Sequence, residues 1–167
     1  MEIYLLRHAP AGTRDPEGRA DDSLRLLTPE GIEKMKHLAR AMRALKLKFD
    51  LILSSPFERA KQTAEIVAAE FKLKRALKFT EHLAPDGDAE LLIERLPSLY
   101  SRPKRVLLVG HEPHLSRLAG MLIAGHEITG FKLKKGGLCK LTARRLQYGA
   151  CAGLDWVLTP KLLAKLV

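Results

Sequence analysis

The sequence predicts a three-layer α/β fold: a mainly parallel sheet with helices on both faces and an antiparallel edge strand. Two observations predict it. Short apolar segments of strand length alternate with longer segments of helical period, the order of a parallel sheet built from strand–helix–strand units. The last two strand-like segments follow one another with no helix between them, which suits an antiparallel edge. No internal repeat, linker or low-complexity block breaks the chain, so residues 1–167 are read as one domain.

The elements follow in order. Glu2 to Leu6 is a short buried strand ending at Arg7-His8. Ala11 to Arg25 is too polar and irregular for either period and forms a loop. Thr28-Pro29 opens a helix, since Thr suits the N-cap and Pro the first helical position. Its apolar residues Ile32, Met35, Leu38, Ala39, Met42 and Leu45 recur at helical spacing. Leu51 to Leu53 is the second strand. Ser55-Pro56-Phe57-Glu58 reads as a capping box with Pro at the first helical position, starting a helix that runs to about Phe71. A third strand covers Ala76 to Thr80, a helix Ala89 to Leu96, and a fourth strand Arg105 to Val109. A helix then reaches about Ala124. Strands at Leu138 to Ala143 and Asp155 to Leu158 and a helix at Pro160 to Leu166 complete the chain.

Composition narrows the functions. Of 167 residues, 46% are hydrophobic and 29% charged, enough to bury a core, which excludes a wholly disordered chain. The longest apolar runs, such as Val106-Leu107-Leu108-Val109, fall far short of the roughly 20 residues that span a bilayer, so no membrane role is expected. Met1 is followed at once by a strand-like segment with no leader pattern, and Cys139 and Cys151 suit neither a disulfide framework nor a zinc site; a cytoplasmic location is expected. The formal charge of +10 favours anionic partners. Because the basic residues are spread out and no aromatics interleave with them, nucleic acid is disfavoured.

In open α/β sheets, ligands bind beyond the carboxyl ends of the strands. Arg7 and His8 follow the first strand, Ser54-Ser55 to Arg59 the second, and His111 the fourth, so two arginines and two histidines gather at one edge. Guanidinium groups fork onto phosphoryl oxygens, and a neutral imidazole has a lone pair that can attack phosphorus. Taken singly, each is an ordinary loop or helix-end residue. The convergence of four is the informative feature.

These residues carry a resemblance. Leu5-Leu6-Arg7-His8-Ala9, Leu27-Thr28-Pro29-Glu30-Gly31, the block from Ser54 to Ala64 and Val109-Gly110-His111-Glu112-Pro113 resemble, in order, the motifs of the histidine phosphatase superfamily, also called phosphoglycerate mutase-like. The short length, Gly136-Gly137-Leu138 and the stretch from Leu154 to Pro160 are most similar to its SixA-type phosphohistidine phosphatases. The resemblance implies the phosphoglycerate mutase-like fold. It makes His8 the nucleophile, Arg7 and Arg59 phosphoryl ligands, and His111 a donor to the same oxygens. No metal or other cofactor is then required, since these groups supply the positive charge. Ala9 departs from the glycine usual in the signature and is tolerable unless that position needs a positive φ.

Substrate choice turns on the leaving group. An alcohol needs a general acid, whereas the imidazole of phosphohistidine leaves readily. Glu81 sits where relatives that cleave phosphoesters carry their acid, and Asp86 and Asp88 are further candidates. The expected substrate is a phosphohistidine-bearing signalling or phosphotransfer protein. A small phosphorylated metabolite is the alternative, and a catalytically silent basic binding module ranks third. His37, His82, His114 and His126 are expected to be structural or surface residues, with His114 nearest the site. Ser54 and Ser55 are expected to cap a helix, Trp156 to join the core, and Arg14 or Arg19 to be available for gripping a substrate.

Overall fold

The computed structural model describes residues 1–98 and 103–166. Its strands are β1 (Glu2–Arg7), β2 (Leu51–Ser54), β3 (Leu77–Phe79), β4 (Arg105–Gly110), β5 (Leu138–Ala143) and β6 (Ala152–Leu158). Its α-helices are α1 (Pro29–Ala44), α2 (Glu58–Glu70), α3 (Ala89–Arg95), α4 (His114–Ala124) and α5 (Pro160–Leu163), with 3-10 turns at Asp22–Leu24, Lys74–Ala76, Glu81–Leu83 and Ala164–Leu166. The strands form one mixed sheet in the order β3-β2-β4-β1-β5-β6. The first four run parallel, while β5 is antiparallel to both β1 and β6.

β1 and β4 are central and buried on both faces, which is why they read as continuous apolar runs rather than alternating ones. Alternation instead sorts their side chains between two cores. Tyr4, Leu6, Ile52, Leu107 and Val109 pack against α1, α2 and α5 through Met35, Leu38, Met42, Ala64, Val67 and Leu163. Ile3, Leu5, Leu53, Val106 and Leu108 pack on the other face against α3 and α4 through Leu92, Ile93, Leu115, Leu118 and Leu122. This gives the three layers.

Local chemistry fixes the helix starts. Thr28 Oγ1 accepts from Gly31 N at 3.0 Å with Pro29 at the first position, as the sequence predicts for α1. Asp88 caps α3 by accepting from Leu91 N at 2.9 Å. The reading of α2 needs correction: it begins at Glu58 rather than Pro56, and Phe57 at its N-cap makes no side-chain cap bond. The capping box does not form because Glu58 pairs with Lys61 and Ser55 Oγ turns toward His111. β6 starts at Ala152, three residues before the expected Asp155, because pairing with Thr142 and Ala143 of β5 draws Gly153 and Ala152 into the ladder.

Candidate active site

Two neighbouring parallel strands set the site. Arg7 pairs with Gly110 at the carboxyl ends of β1 and β4, so the residues that follow, His8 and His111, emerge side by side. Their ring centroids lie 5.2 Å apart. His8 is nearly buried, its N–H donates to the Gly110 carbonyl at 3.1 Å, and its Nδ1 lies 2.7 Å from the Ala9 carbonyl oxygen. A carbonyl only accepts, so in the neutral ring the proton sits on Nδ1 and the lone pair on Nε2. Burial, with repulsion from Arg59 and Arg7, holds the His8 pKa down to about 3, which keeps the ring neutral at physiological pH.

The backbone around His8 is tied from two sides. Ala9 N donates to Thr63 Oγ1 at 3.1 Å, and that hydroxyl donates to the Arg59 carbonyl at 2.7 Å, joining the end of β1 to the first turns of α2. Opposite, Gly136 N donates to the carbonyls of both Arg7 and His8 at 3.1 Å. Gly136 holds φ at +78°, and a Cβ there would come within 2.8 Å of Leu38 Cδ1, so the position wants glycine on both counts. Ala9 is buried and is not among the positive-φ residues, so its methyl is accommodated without backbone strain.

His111 is buried between Ser55, whose Oγ lies 2.9 Å from Nε2, and the Phe57 ring at 5.3 Å. Its Nδ1 is buried and bonds to no described residue. Burial first, then Arg59 and His8, lower its pKa to about 2. Arg59 lies along the same wall with its guanidinium 5.2 Å from the Phe57 centroid. Its side chain is 4% exposed, and both terminal nitrogens donate to Asp22, to the carbonyl at 2.7 Å and to Oδ2 at 2.8 Å. Arg7 Nη1 donates to the Leu133 carbonyl at 2.9 Å, and Leu133 N donates to Glu112 Oε1 at 3.0 Å, a relay that steadies Arg7. The Nε atoms of Arg7 and Arg59 are buried and unpaired among the described residues.

The structure thus gathers Arg7, His8, Arg59 and His111. Glu81 is different: it starts the 3-10 turn after β3, and its side chain is exposed and pairs with no described residue. Asp86 and Asp88 are also exposed, and Asp88 is occupied as a helix cap. Ser54 Oγ donates to the Ser55 carbonyl, while His114 is buried with Nε2 3.1 Å from the Gly87 carbonyl. Arg14 and Arg19 are exposed. Sequence reasoning missed three contributors. Ser55 Oγ meets His111 as well as accepting from Phe57 N at the start of α2, Thr63 links Ala9 to Arg59, and Arg25 meets the site through Asp22 at 3.0 Å. Ser55 and Thr63 carried a signal, their place in the block from Ser54 to Ala64; Arg25 carried none. Among the described residues, no group of three or more His, Cys, Asp or Glu is placed to hold a metal ion, and no helix is long and apolar enough to cross a membrane.

A three-layer α/β protein with two histidines and two arginines at the carboxyl edge of its parallel strands belongs to a recognisable class. A family model of the histidine phosphatase superfamily (branch 1) matches residues 3–84. An uncharacterized protein of Picosynechococcus sp. is 35% identical over 166 residues, covering 98% of this chain and 99% of that protein. The phosphohistidine phosphatase SixA of Escherichia coli (strain K12) is 30% identical over 126 residues, 75% of this chain and 76% of SixA. A solved structure of the protein histidine phosphatase SixA complexed with tungstate superposes with a TM-score of 0.82 at 26% identity, covering 96% of this chain and 98% of that one. The chain belongs to the histidine phosphatase superfamily.

Proposed function

We propose that the protein is a metal-independent phosphatase that removes the phosphoryl group from phosphohistidine on another protein. The observation that carries this reading is His8: its Nδ1–H is committed to the Ala9 carbonyl, its ring is held neutral, and Nε2 is left as a nucleophile beside His111. In the first step His8 Nε2 bonds to phosphorus as the bond to the substrate's imidazole nitrogen breaks; that nitrogen keeps the pair and takes a proton from water. In the second, water attacks phosphorus, the bond to Nε2 breaks and inorganic phosphate leaves. Arg7 and Arg59 neutralise the equatorial oxygens. In the tautomer where Ser55 Oγ–H donates to Nε2, the His111 ring proton sits on Nδ1, the nitrogen with no described partner, and serves the same oxygens.

The substrate class is supported by chemistry and by similarity. Glu81 is exposed and pairs with none of the described residues, so none of them holds it against a leaving alcohol, and a departing imidazole needs no such acid. The formal charge of +10 suits an anionic protein partner. Similarity to SixA over three quarters of the chain points the same way.

The test compares hydrolysis of a phosphohistidine-bearing protein and of an aryl phosphate, without added metal, by wild type, His8→Ala and Glu81→Gln. Strong preference for phosphohistidine, an inactive His8→Ala and a Glu81→Gln within about threefold of wild type are expected. Equal or better cleavage of the aryl ester would transfer the reading to a small-molecule phosphatase. Turnover of neither would leave a phosphoryl-binding module.

A further inference from the structure

Each terminal nitrogen of Arg59, the donors a phosphoryl group would use, already gives one N–H to Asp22, Nη1 to its carbonyl and Nη2 to its carboxylate, which places a negative charge where the phosphoryl group would sit. The same carboxylate takes Arg25 Nη2 at 3.0 Å through its other oxygen. Asp22 therefore holds two guanidinium groups as an incoming oxyanion would. Its loop is attached in a telling way. From Thr13 to Leu24, the hydrogen bonds of the described residues stay within the loop, as in the bonds to Asp15 from Glu17, Arg19 and Ala20, apart from those that Arg25 N and Arg59 donate to Asp22. Beyond its base, where Arg25 and Gly12 tie it, the loop is thus held to α2 through the arginine the substrate needs.

We propose that Asp22 is an internal competitor for Arg59, a carboxylate that a phosphoryl group must displace on entering. The proposal rests on the reading of Arg59 as a phosphoryl ligand. Displacing a charged partner from a buried guanidinium weakens every phosphoryl ligand by a similar factor. The penalty matters most for a ligand with nothing else to bind, such as inorganic phosphate, the reaction's own product. A phosphoprotein offsets it with contacts beyond the phosphoryl group, which Leu24 at the end of the loop and Leu26 just after it, 64% and 54% exposed, are available to offer. Asp22 thus sets a threshold that lets product leave and keeps free phosphate from occupying the site.

The experiment is titration of inorganic phosphate by calorimetry into wild type, Asp22→Asn, Asp22→Ala, Arg59→Ala and Glu17→Gln, with KM for an aryl phosphate measured alongside. Asp22→Asn and Asp22→Ala should bind phosphate roughly tenfold more tightly, with KM falling in parallel, since one charge-assisted bond is removed from the competing state. Glu17→Gln removes a neighbouring charge from the same loop without touching Arg59 and should change binding by less than about twofold. Weaker phosphate binding by both Asp22 variants, or a fall in kcat with KM unmoved, would make Asp22 a residue that merely positions Arg59 and overturn the proposal. An equal gain in Glu17→Gln would assign the effect to general charge and overturn it too. If Arg59→Ala binds phosphate as wild type does, the assignment of Arg59 itself fails, an outcome distinct from failure at Asp22.

Discussion

Gly31→Ala is a substitution for which helix propensity and packing predict opposite signs. Gly31 lies in the first turn of α1, where alanine ordinarily stabilises by about 1 kcal/mol over glycine. Here a Cβ would stand 2.0 Å from the Pro10 carbonyl oxygen, whereas real Cβ atoms essentially never approach within 3.0 Å. The two segments must therefore part by about 1 Å. Neither yields freely: the Pro10 carbonyl accepts from Thr28 N at 3.1 Å, and Ala9 is held by Thr63. Pro10 is two residues from His8, so the displacement passes to the proposed nucleophile. Overpacking of this kind costs about 1–3 kcal/mol, and misplacing a reacting group by 1 Å costs about 10²-fold in rate. The assay is kcat on saturating aryl phosphate together with urea unfolding. We expect both losses. A variant as stable as wild type, with kcat within about threefold, would refute the claim that the approach of α1 to Pro10 sets the position of His8.

Acid should unfold the protein earlier than its carboxylates alone would require. His8 and His111 bind protons only near pH 3 and pH 2 when folded but near 6.5 when unfolded, so their contribution is whole above pH 6.5 and drains away as pH falls below it. Between pH 7 and pH 5 the loss is about 2 kcal/mol per histidine; urea midpoints measured across that range should fall accordingly, and a flat profile would contradict the burial of both rings. Ser55→Ala should lower kcat about tenfold and stability by about 1 kcal/mol, because His111 loses its partner at Nε2 and Phe57 N loses its acceptor; unchanged kinetics would remove Ser55 from the site.

The frame of the site was legible wherever chain order decides geometry. A strand that stops at Arg7-His8 and another that stops at Gly110-His111 needed only parallel pairing to bring their histidines together, and strand periodicity with cap chemistry supplied that. The sequence reading failed at side chains with two possible employers. Ser55 sits in a sound capping-box pattern, yet its hydroxyl bridges a buried imidazole and Phe57 N instead of capping at Glu58, and α2 starts two residues late. Asp22 and Arg25 lie in a loop without periodicity, where no local rule says which of several charges will face Arg59. At β6, Ala152 and Gly153 have little strand preference of their own, and the ladder with β5 recruits them.

Leu5 and Leu6 are adjacent in the chain but root in opposite cores, and Arg7 and His8 follow directly. The end of β1 that carries Arg7 and His8 is therefore the seam along which the two cores are stitched. Loosening the α1–α2 layer slackens it from below; loosening α3–α4 does so from above. Melting of either half is therefore expected to disturb Arg7 and His8, which makes catalytic competence a property of the whole fold rather than of the edge at which the chemistry occurs.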